Sequence, residues 1–367
     1  MRLLHLSDLH LGFRQFQRTT PAGMNQREFD VASALTRAVD RCIALAPDFI
    51  VIGGDVFHVV RPSNPAILHA FREFSRLRAA LPGCVIAMVA GNHDAPRSTD
   101  TACLLDLFAP MGIDVATTEQ RVLRYPDRGV TITAVPDLPL HRMTLEPDPQ
   151  ARYNVLLMHG EVEGTLPAGA DPERAAVIVP KAAVLRPEWD YVALGHYHVW
   201  QRVGPNAFYS GALEYASSNP WGEIAEERRH KLPGKGLIER DLASGKQQFH
   251  KLEVAREFRD LAPIDGAGLS ASELDTIIAA RIENVSGGIA GKVVRLVLRD
   301  VPRHIVRELD HKTIREWQRT ALHFHLDART PDVIRPTADA AARTEHYRPT
   351  LADTMRDHLR ARPLTSD

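Results

Sequence analysis

The sequence predicts an α/β fold: a strand-rich core covered by helices, followed by a compact α+β unit. Three observations carry this reading. Short apolar strands alternate with amphipathic helices through the first 250 residues, the order expected of a parallel sheet with both faces covered. Polar residues of the metal-binding type collect where those strands end. After about residue 255 the pattern changes to strand, helix, strand, helix, strand.

Taken in order, residues 1–7 read as a buried strand. Residues 26–46 place Phe29, Ala32, Leu35, Val39, Cys42, Ile43 and Ala46 along one helical face. "DFIVIGGD" is a short apolar strand ending at Asp55. Residues 64–81 form a second helix, with Ile67, Leu68, Phe71, Phe74, Leu77 and Leu81 on one side. "CVIAMVAGNHD", "VTITAVP", "YNVLLMHG", "DYVALGHYH" and "AFYSG" follow as strands. In the second unit "FRDLAPID", "KVVRLVLRD" and "LHFHLDA" read as strands. "SASE" at 270–273 is a capping box opening a helix to about Asn284, and 310–321 is helical. From Arg329 the chain becomes rich in Pro, Arg and Ala, a linker. A short closing helix follows, with Leu351, Met355 and Leu359 on one stripe. The division is therefore 1–255, 256–330 and 331–367.

Composition narrows the classes. A hydrophobic fraction of 44% supports a sizeable core. A net charge of −1 excludes a globally basic nucleic-acid coat, though not a local basic channel. Three cysteines, Cys42, Cys84 and Cys103, lie in apolar segments without paired spacing, which points to a reducing compartment. "MRLLHLSDLH" lacks the apolar run of a signal peptide, and no stretch approaches the ~18 apolar residues of a membrane span. The expectation is a cytoplasmic protein without a membrane partner.

Five strand ends carry ligand-type residues: Asp8 and His10 in "SDLH", Asp55 in "GGD", Asn92 and His93 in "GNHD", His159 in "LMHG", and His196 and His198 in "LGHYH". In open α/β sheets, ligands bind beyond the carboxyl ends of strands. Mixed Asp, Asn and His donors suit manganese, iron or zinc rather than calcium. The set is too large for one ion and fits two, with Asp55 the natural bridge, and two such ions clamp an in-line phosphoryl displacement.

This ordered set, D-x-H, G-D, G-N-H-D, H and G-H-x-H, resembles the signature of the calcineurin-like metallophosphoesterases. Within them, "SDLHLG", "GGDVFHVVRPS" and "YSGALEY" followed by "KGLIERDL" resemble the SbcD family of DNA repair nucleases over residues 1–330. The resemblance implies a β-sandwich flanked by helices with a small α+β capping domain. It implies one metal on Asp8, His10, Asp55 and His198, and a second on Asp55, Asn92, His159 and His196, with manganese preferred. By the same resemblance His93 gives a proton to the leaving oxygen or steadies the phosphate, Asp94 orients His93 (or caps a helix), and His58 serves beside the metals. Metal-bound hydroxide would attack phosphorus in line, giving exonuclease action on duplex ends and endonuclease action on single-stranded or hairpin DNA. The family also implies a homodimer and a coiled-coil ATPase of the SbcC type as partner.

Arg14, Arg18, Arg61 and Arg97 follow the ligands, and "EERRHKLPGK" adds Arg228, Arg229, Lys231 and Lys235, all candidate contacts to a DNA backbone. "HFH" at 323–325 is read as ordinary strand. The tail offers one clear helix rather than a pair, and "LEYASSNPWGE" departs from the family's usual loop. The competing readings are a phosphodiesterase for small substrates such as cyclic nucleotides, and a scaffold tethering an ATPase to DNA.

Overall fold

The computed structural model of the 367-residue chain describes residues 1–96, 102–165 and 177–331. The expected tail helix with Leu351, Met355 and Leu359 falls outside the described residues.

The first sheet contains β1 (Arg2–Leu6), β2 (Phe49–Ile52), β3 (Val85–Val89) and β4 (Asp114–Ala116), parallel and in spatial sequence. The second contains β5 (Arg121–Tyr125), β6 (Val130–Val135) and β7 (Tyr153–His159). A ribbon of β8 (Glu161–Val162) and β9 (Ile178–Val179) leads to β10 (Tyr191–Gly195), β11 (Gln201–Arg202) and β12 (Ala207–Tyr209), which complete that sheet in the order β11-β12-β10-β7-β6-β5. The chain then returns to the first sheet through β13 (Gly236–Asp241), antiparallel to β1, and β14 (Gln247–Lys251).

The two sheets pack face to face. Leu3, Phe49, Val51, Ala87 and Val89 of the first meet Ile132, Val155, Leu157, Tyr191 and Phe208 of the second. The alternate residues Leu4, Ile50, Ile52, Ile86 and Met88 turn the other way, onto α1 (Gln26–Leu45) and α2 (Asn64–Ala80). Strands buried on both faces read as continuous apolar runs, so the period-2 signal is hidden in the sequence. Side chains of this kind each contribute roughly 1.5–3 kcal/mol when fully buried. Asn25 caps α1 through the amides of Arg27 and Glu28, and Ser63 caps α2 through that of Ala66.

Both helices rotate slightly from the expected faces. Phe74 and Leu77 of α2 are buried, but Leu68 and Phe71 are 52% and 42% exposed, and Phe29 of α1 is 48% exposed. α3 (Lys181–Val184) is a single turn, and α4 (Pro220–His230) lies where the sequence reads as loop. Its buried stripe, Trp221, Glu223, Ile224 and Glu227, is half carboxylate, which hides the apolar period.

The last unit is a parallel sheet of β15 (Phe258–Asp265), β16 (Val293–Arg299) and β17 (His323–Ala328), with α5 (Ala271–Glu283), α6 (Arg303–Glu308) and α7 (His311–Thr320). Ser270 and Glu273 form the expected capping box. The helices cover one face, with Leu274, Ile278 and Ile314 packed in one core with Leu296 and Phe324 of the sheet. At the other, Phe258 and Val293 pack on Trp221 and Ile224 of α4. Arg256 pairs with Asp30 at 3.2 Å, and buried Arg27 bonds Asp30 at 2.9 Å and stacks 5.2 Å over Phe258. The unit is therefore held against the core by both apolar and ionic contacts. Cys42, Cys84 and Cys103 are free and buried. No helix of the described residues is long and apolar enough to cross a membrane.

Candidate metal centre

The carboxyl ends of β1, β2 and β3 in one sheet, and of β7 and β10 in the other, meet at one place. Beyond them the segments are laced together by backbone: Asp8 N–H to Gly54 O at 3.0 Å, His10 N–H to Asp55 O at 2.9 Å, and Leu11 N–H to Val56 O at 2.9 Å. Asp8, His10, Asp55 and His196 all have positive φ (54°, 46°, 49° and 112°). Non-glycine residues in such conformations cost of order 1–3 kcal/mol each and persist only where surrounding bonds over-determine them. Here the side chains supply further bonds. Asp8 Oδ1 accepts from His196 N–H at 2.9 Å, and Asp55 Oδ1 accepts from His93 N–H at 2.9 Å.

Three overlapping groups result, one made of His10, His58 and His93 and two that carry carboxylates. Ligand atoms of Asp8, His10 and His198 lie within 4.8 Å of one another, as do those of Asp8, Asp55 and His159. Asp55 Oδ2 stands between the groups, 3.8 Å from His10 Nε2 and 3.5 Å from His159 Nε2. Asn92 joins through its side-chain oxygen, 2.8 Å from His159 Nε2, and the His196 ring centroid lies 5.5 Å from that of His159. All seven expected ligands are thus brought together. Glycines make room for them. A Cβ on Gly91 would fall 2.1 Å from Asp55 Oδ1, and one on Gly54 2.6 Å from His159 Nδ1.

The donor set suits cations. His159 Nδ1–H donates to the Gly53 carbonyl at 2.7 Å, so Nε2 carries the lone pair that faces Asn92 and Asp55. His10 Nε2 and His198 Nε2 lie 2.8 Å apart. Lone pairs converging in this way are satisfied by positive charge. The electrostatics agree. Burial, then the His198, His93, His58 and His159 rings, push His10 well below the usual imidazole range. Burial and the His159 ring push His196 down to about 3. Both are neutral donors at ordinary pH. Burial would also lower His159, but Asp55 and Asp8 outweigh it and hold the ring above its usual value.

His93 and His58 line the same pocket. Their rings stack with centroids 5.1 Å apart, each close to His10. His93 Nδ1–H donates to the His58 carbonyl at 2.7 Å. This corrects the expectation for Asp94. Its carboxylate accepts from Val56, Phe57 and Gly91 N–H at 3.1, 2.9 and 3.1 Å, tying the loop after β2 to the loop after β3. The His93 ring is oriented by His58, not by Asp94. Burial, then Asp55, push Asp94 up to about 7 against these amide bonds.

The candidate DNA contacts separate. Arg14 pairs with Glu28 at 2.7 Å. Arg18, exposed, caps α7 by donating to the Arg319 and Ala321 carbonyls. Arg61, Arg228, Arg229 and Lys231 are exposed, and Arg97 lies outside the described residues. Lys235 is wholly buried, which corrects its reading as a DNA contact: Nζ bonds Glu223 and pairs with Glu227 at 3.2 Å. Its partner Glu223 reaches His198 Nδ1 at 3.4 Å, a contact with no local signal in the sequence because the buried stripe of α4 is half carboxylate. Burial alone would raise Glu223, but Lys235, then His198, hold it down to about 2. His323 stacks on Phe16 with centroids 3.9 Å apart, consistent with an ordinary strand residue.

Two sheets thus deliver carboxylate, amide and imidazole donors to a single place, a set able to hold divalent cations. The chain belongs to the calcineurin-like phosphoesterase family, whose model matches residues 1–200. It is 26% identical over 322 residues to the DNA double-strand break repair protein Mre11 of Methanopyrus kandleri, covering 82% of this chain and 65% of that protein. The proteins of the same name from Sulfurisphaera tokodaii and Methanosarcina acetivorans are 28% and 23% identical, covering 69% and 92% of this chain and 62% and 59% of theirs. The chain spans less than two thirds of the length of these relatives.

Proposed function

We propose that this protein is a two-metal DNA nuclease of DNA repair. The observation that carries the reading is the shared cleft, in which Asp55 Oδ2 stands between His10 and His159. Asp8, His10, Asp55 and His198 would hold one divalent cation; Asp55, Asn92, His159 and His196 would hold the other. Manganese is the expected ion. Bound there, the pair supplies Lewis acidity to water and to the phosphoryl oxygens. The chain's own groups do the rest. His93, its Nδ1–H fixed on the His58 carbonyl, keeps Nε2 for exchanging a proton with the leaving oxygen. His58 shapes the wall beside it. Asp94 holds both ligand loops in register.

Residues 1–255 form the hydrolytic unit in this reading, and 256–330 a cap that makes one wall of a groove for DNA. The added wall, together with the similarity to break-repair proteins, favours a polymeric substrate over a small phosphodiester. Exonuclease action on duplex ends, endonuclease action on single strands or hairpins, and a cytoplasmic SbcC-type ATPase partner bound through the tail belong to the same proposal. A homodimer is supported by exposed Phe29, Leu68 and Phe71 on neighbouring α1 and α2. The test is incubation with 3′-labelled duplex DNA and manganese. Release of nucleotide that EDTA and His93→Leu both abolish is expected. Intact DNA alongside cleavage of a cyclic nucleotide would transfer the assignment to a small-substrate phosphodiesterase, and no cleavage of either would favour the scaffold.

A further inference from the structure

His198 is gripped from both ends by residues outside the ligand set. Its backbone carbonyl accepts from Lys235 Nζ at 2.8 Å, and its Nδ1 faces Glu223 Oε1 at 3.4 Å. Glu223 is itself held: Oε1 accepts from Ser217 Oγ, and Oε2 from Lys235 Nζ. Lys235 has no exposed side-chain surface, and Glu223 is nine-tenths buried. The cluster contains two carboxylates, Glu223 and Glu227, for one ammonium. Glu227 is further bound by the Tyr215 hydroxyl at 2.6 Å. A surplus of one negative charge therefore sits behind the His198 ring, on the side away from Asp8 and His10.

This arrangement has a direct chemical consequence. An ionised carboxylate can only accept, so the ring proton of neutral His198 belongs on Nδ1, facing Glu223. That leaves the lone pair on Nε2, the atom beside His10 Nε2. A carboxylate behind a ligating imidazole fixes its tautomer and orientation and raises its donor strength. The placement depends on α4, which meets the last unit through Trp221, 4.8 Å from the Arg295 guanidinium, and presents Glu223 to the metal centre.

We propose that Glu223, locked by Lys235, is a positioning residue for His198 that sets the affinity of one of the two cation positions. The inference rests on the metal-centre reading above, and the experiment separates the two. The full chain, freed of metal, is titrated calorimetrically with manganese(II) chloride, and the tautomer of His198 is read from the ¹⁵N shifts of ring-labelled histidine. The His198 signals are assigned by their loss in His198→Ala. Two variants are used. Glu223→Met removes the acceptor. Glu223→Met combined with Lys235→Met and Glu227→Gln also removes the ion pair that would stay buried behind the ring, so a folded sample remains if the single variant fails.

The expected result is two binding events in the wild type, one of them weakened about 10–100-fold in the variants while the other is unchanged, with His198 moving from the Nδ1–H to the Nε2–H form. Affinities unchanged from wild type at both positions in a folded variant would overturn the proposal. Equal weakening of both positions would also overturn it, because a general loss of structure then suffices. If the wild type binds no manganese, the metal-centre reading fails and the ¹⁵N shifts decide alone. An Nδ1–H signature lost in the variants supports positioning by Glu223; an unchanged tautomer refutes it.

Discussion

Replacing Asp94 with asparagine separates two roles that the sequence leaves open. The carboxylate accepts three buried amides, with Phe57 N–H on Oδ1 and Val56 and Gly91 N–H on Oδ2. Asparagine keeps the shape but has one acceptor oxygen. If that oxygen takes the Oδ2 position, the Phe57 bond is lost and an NH₂ group points at the Phe57 N–H. A hydrogen bond to a charged group contributes about 1.5–3 kcal/mol, and a buried donor left unsatisfied costs a further 1–3. Asp94→Asn should therefore lower stability by about 2.5–6 kcal/mol, read as a fall in urea midpoint with the slope unchanged. Turnover of a chromogenic phosphodiester with manganese should drop because Asp55 and His58 lie on the loosened loop. The shape of the pH–rate profile should stay, because the His93 ring touches His58 rather than Asp94. Full stability combined with turnover as low as that of His93→Leu would refute this account and restore Asp94 as the partner of His93.

Three other perturbations follow from the same coordinates. Gly91→Ala would place a Cβ 2.1 Å from Asp55 Oδ1 and 2.5 Å from Asp55 N, so calorimetry should show manganese binding lost at both positions, with a stability loss of at least ~2 kcal/mol. Arg27→Met removes a buried cation bonded to Asp30 at 2.9 Å and to the Tyr215 carbonyl at 2.7 Å. Leaving Asp30 and Glu214 underpaired should cost about 3–5 kcal/mol by urea titration, and the chain at Arg256, which pairs with Asp30, should become cleavable by trypsin. His5, fully buried against Tyr191 at 3.0 Å, is pushed down to about 3 by burial. It stays neutral in the folded protein while the unfolded chain takes up a proton below about pH 6.5. Stability is thus complete above that pH and declines as pH falls towards 3, by up to roughly 1.4 kcal/mol per pH unit from this residue. A His5→Gln variant should show a shallower decline between pH 6.5 and 4 than wild type, and parallel curves would exclude His5 as a source.

What the sequence by itself determined is local. Apolar strands closing on Asp8, Asp55, Asn92, His159 and His196, the Ser270–Glu273 capping box, and the three strands, α5 and α7 of the last unit are encoded within a few residues, whereas α6 is too short to show a period. Such spacing is set by backbone periods of 2 and 3.6. Tertiary structure decided the partners. His10 meets His198 across 188 residues of chain, a contact fixed by how two sheets stack rather than by either segment. The same holds for charge. Arg18 and Lys235 read alike as cations available to DNA, yet one caps a helix some 300 residues away and the other is sealed beside Glu223 and Glu227. Asp94 sits next to His93 in the chain but accepts from Val56 and Phe57 N–H in the loop after β2 and from Gly91 N–H in its own loop. A side chain's type is written in the sequence, but its partner depends on which buried donors and acceptors folding brings to it.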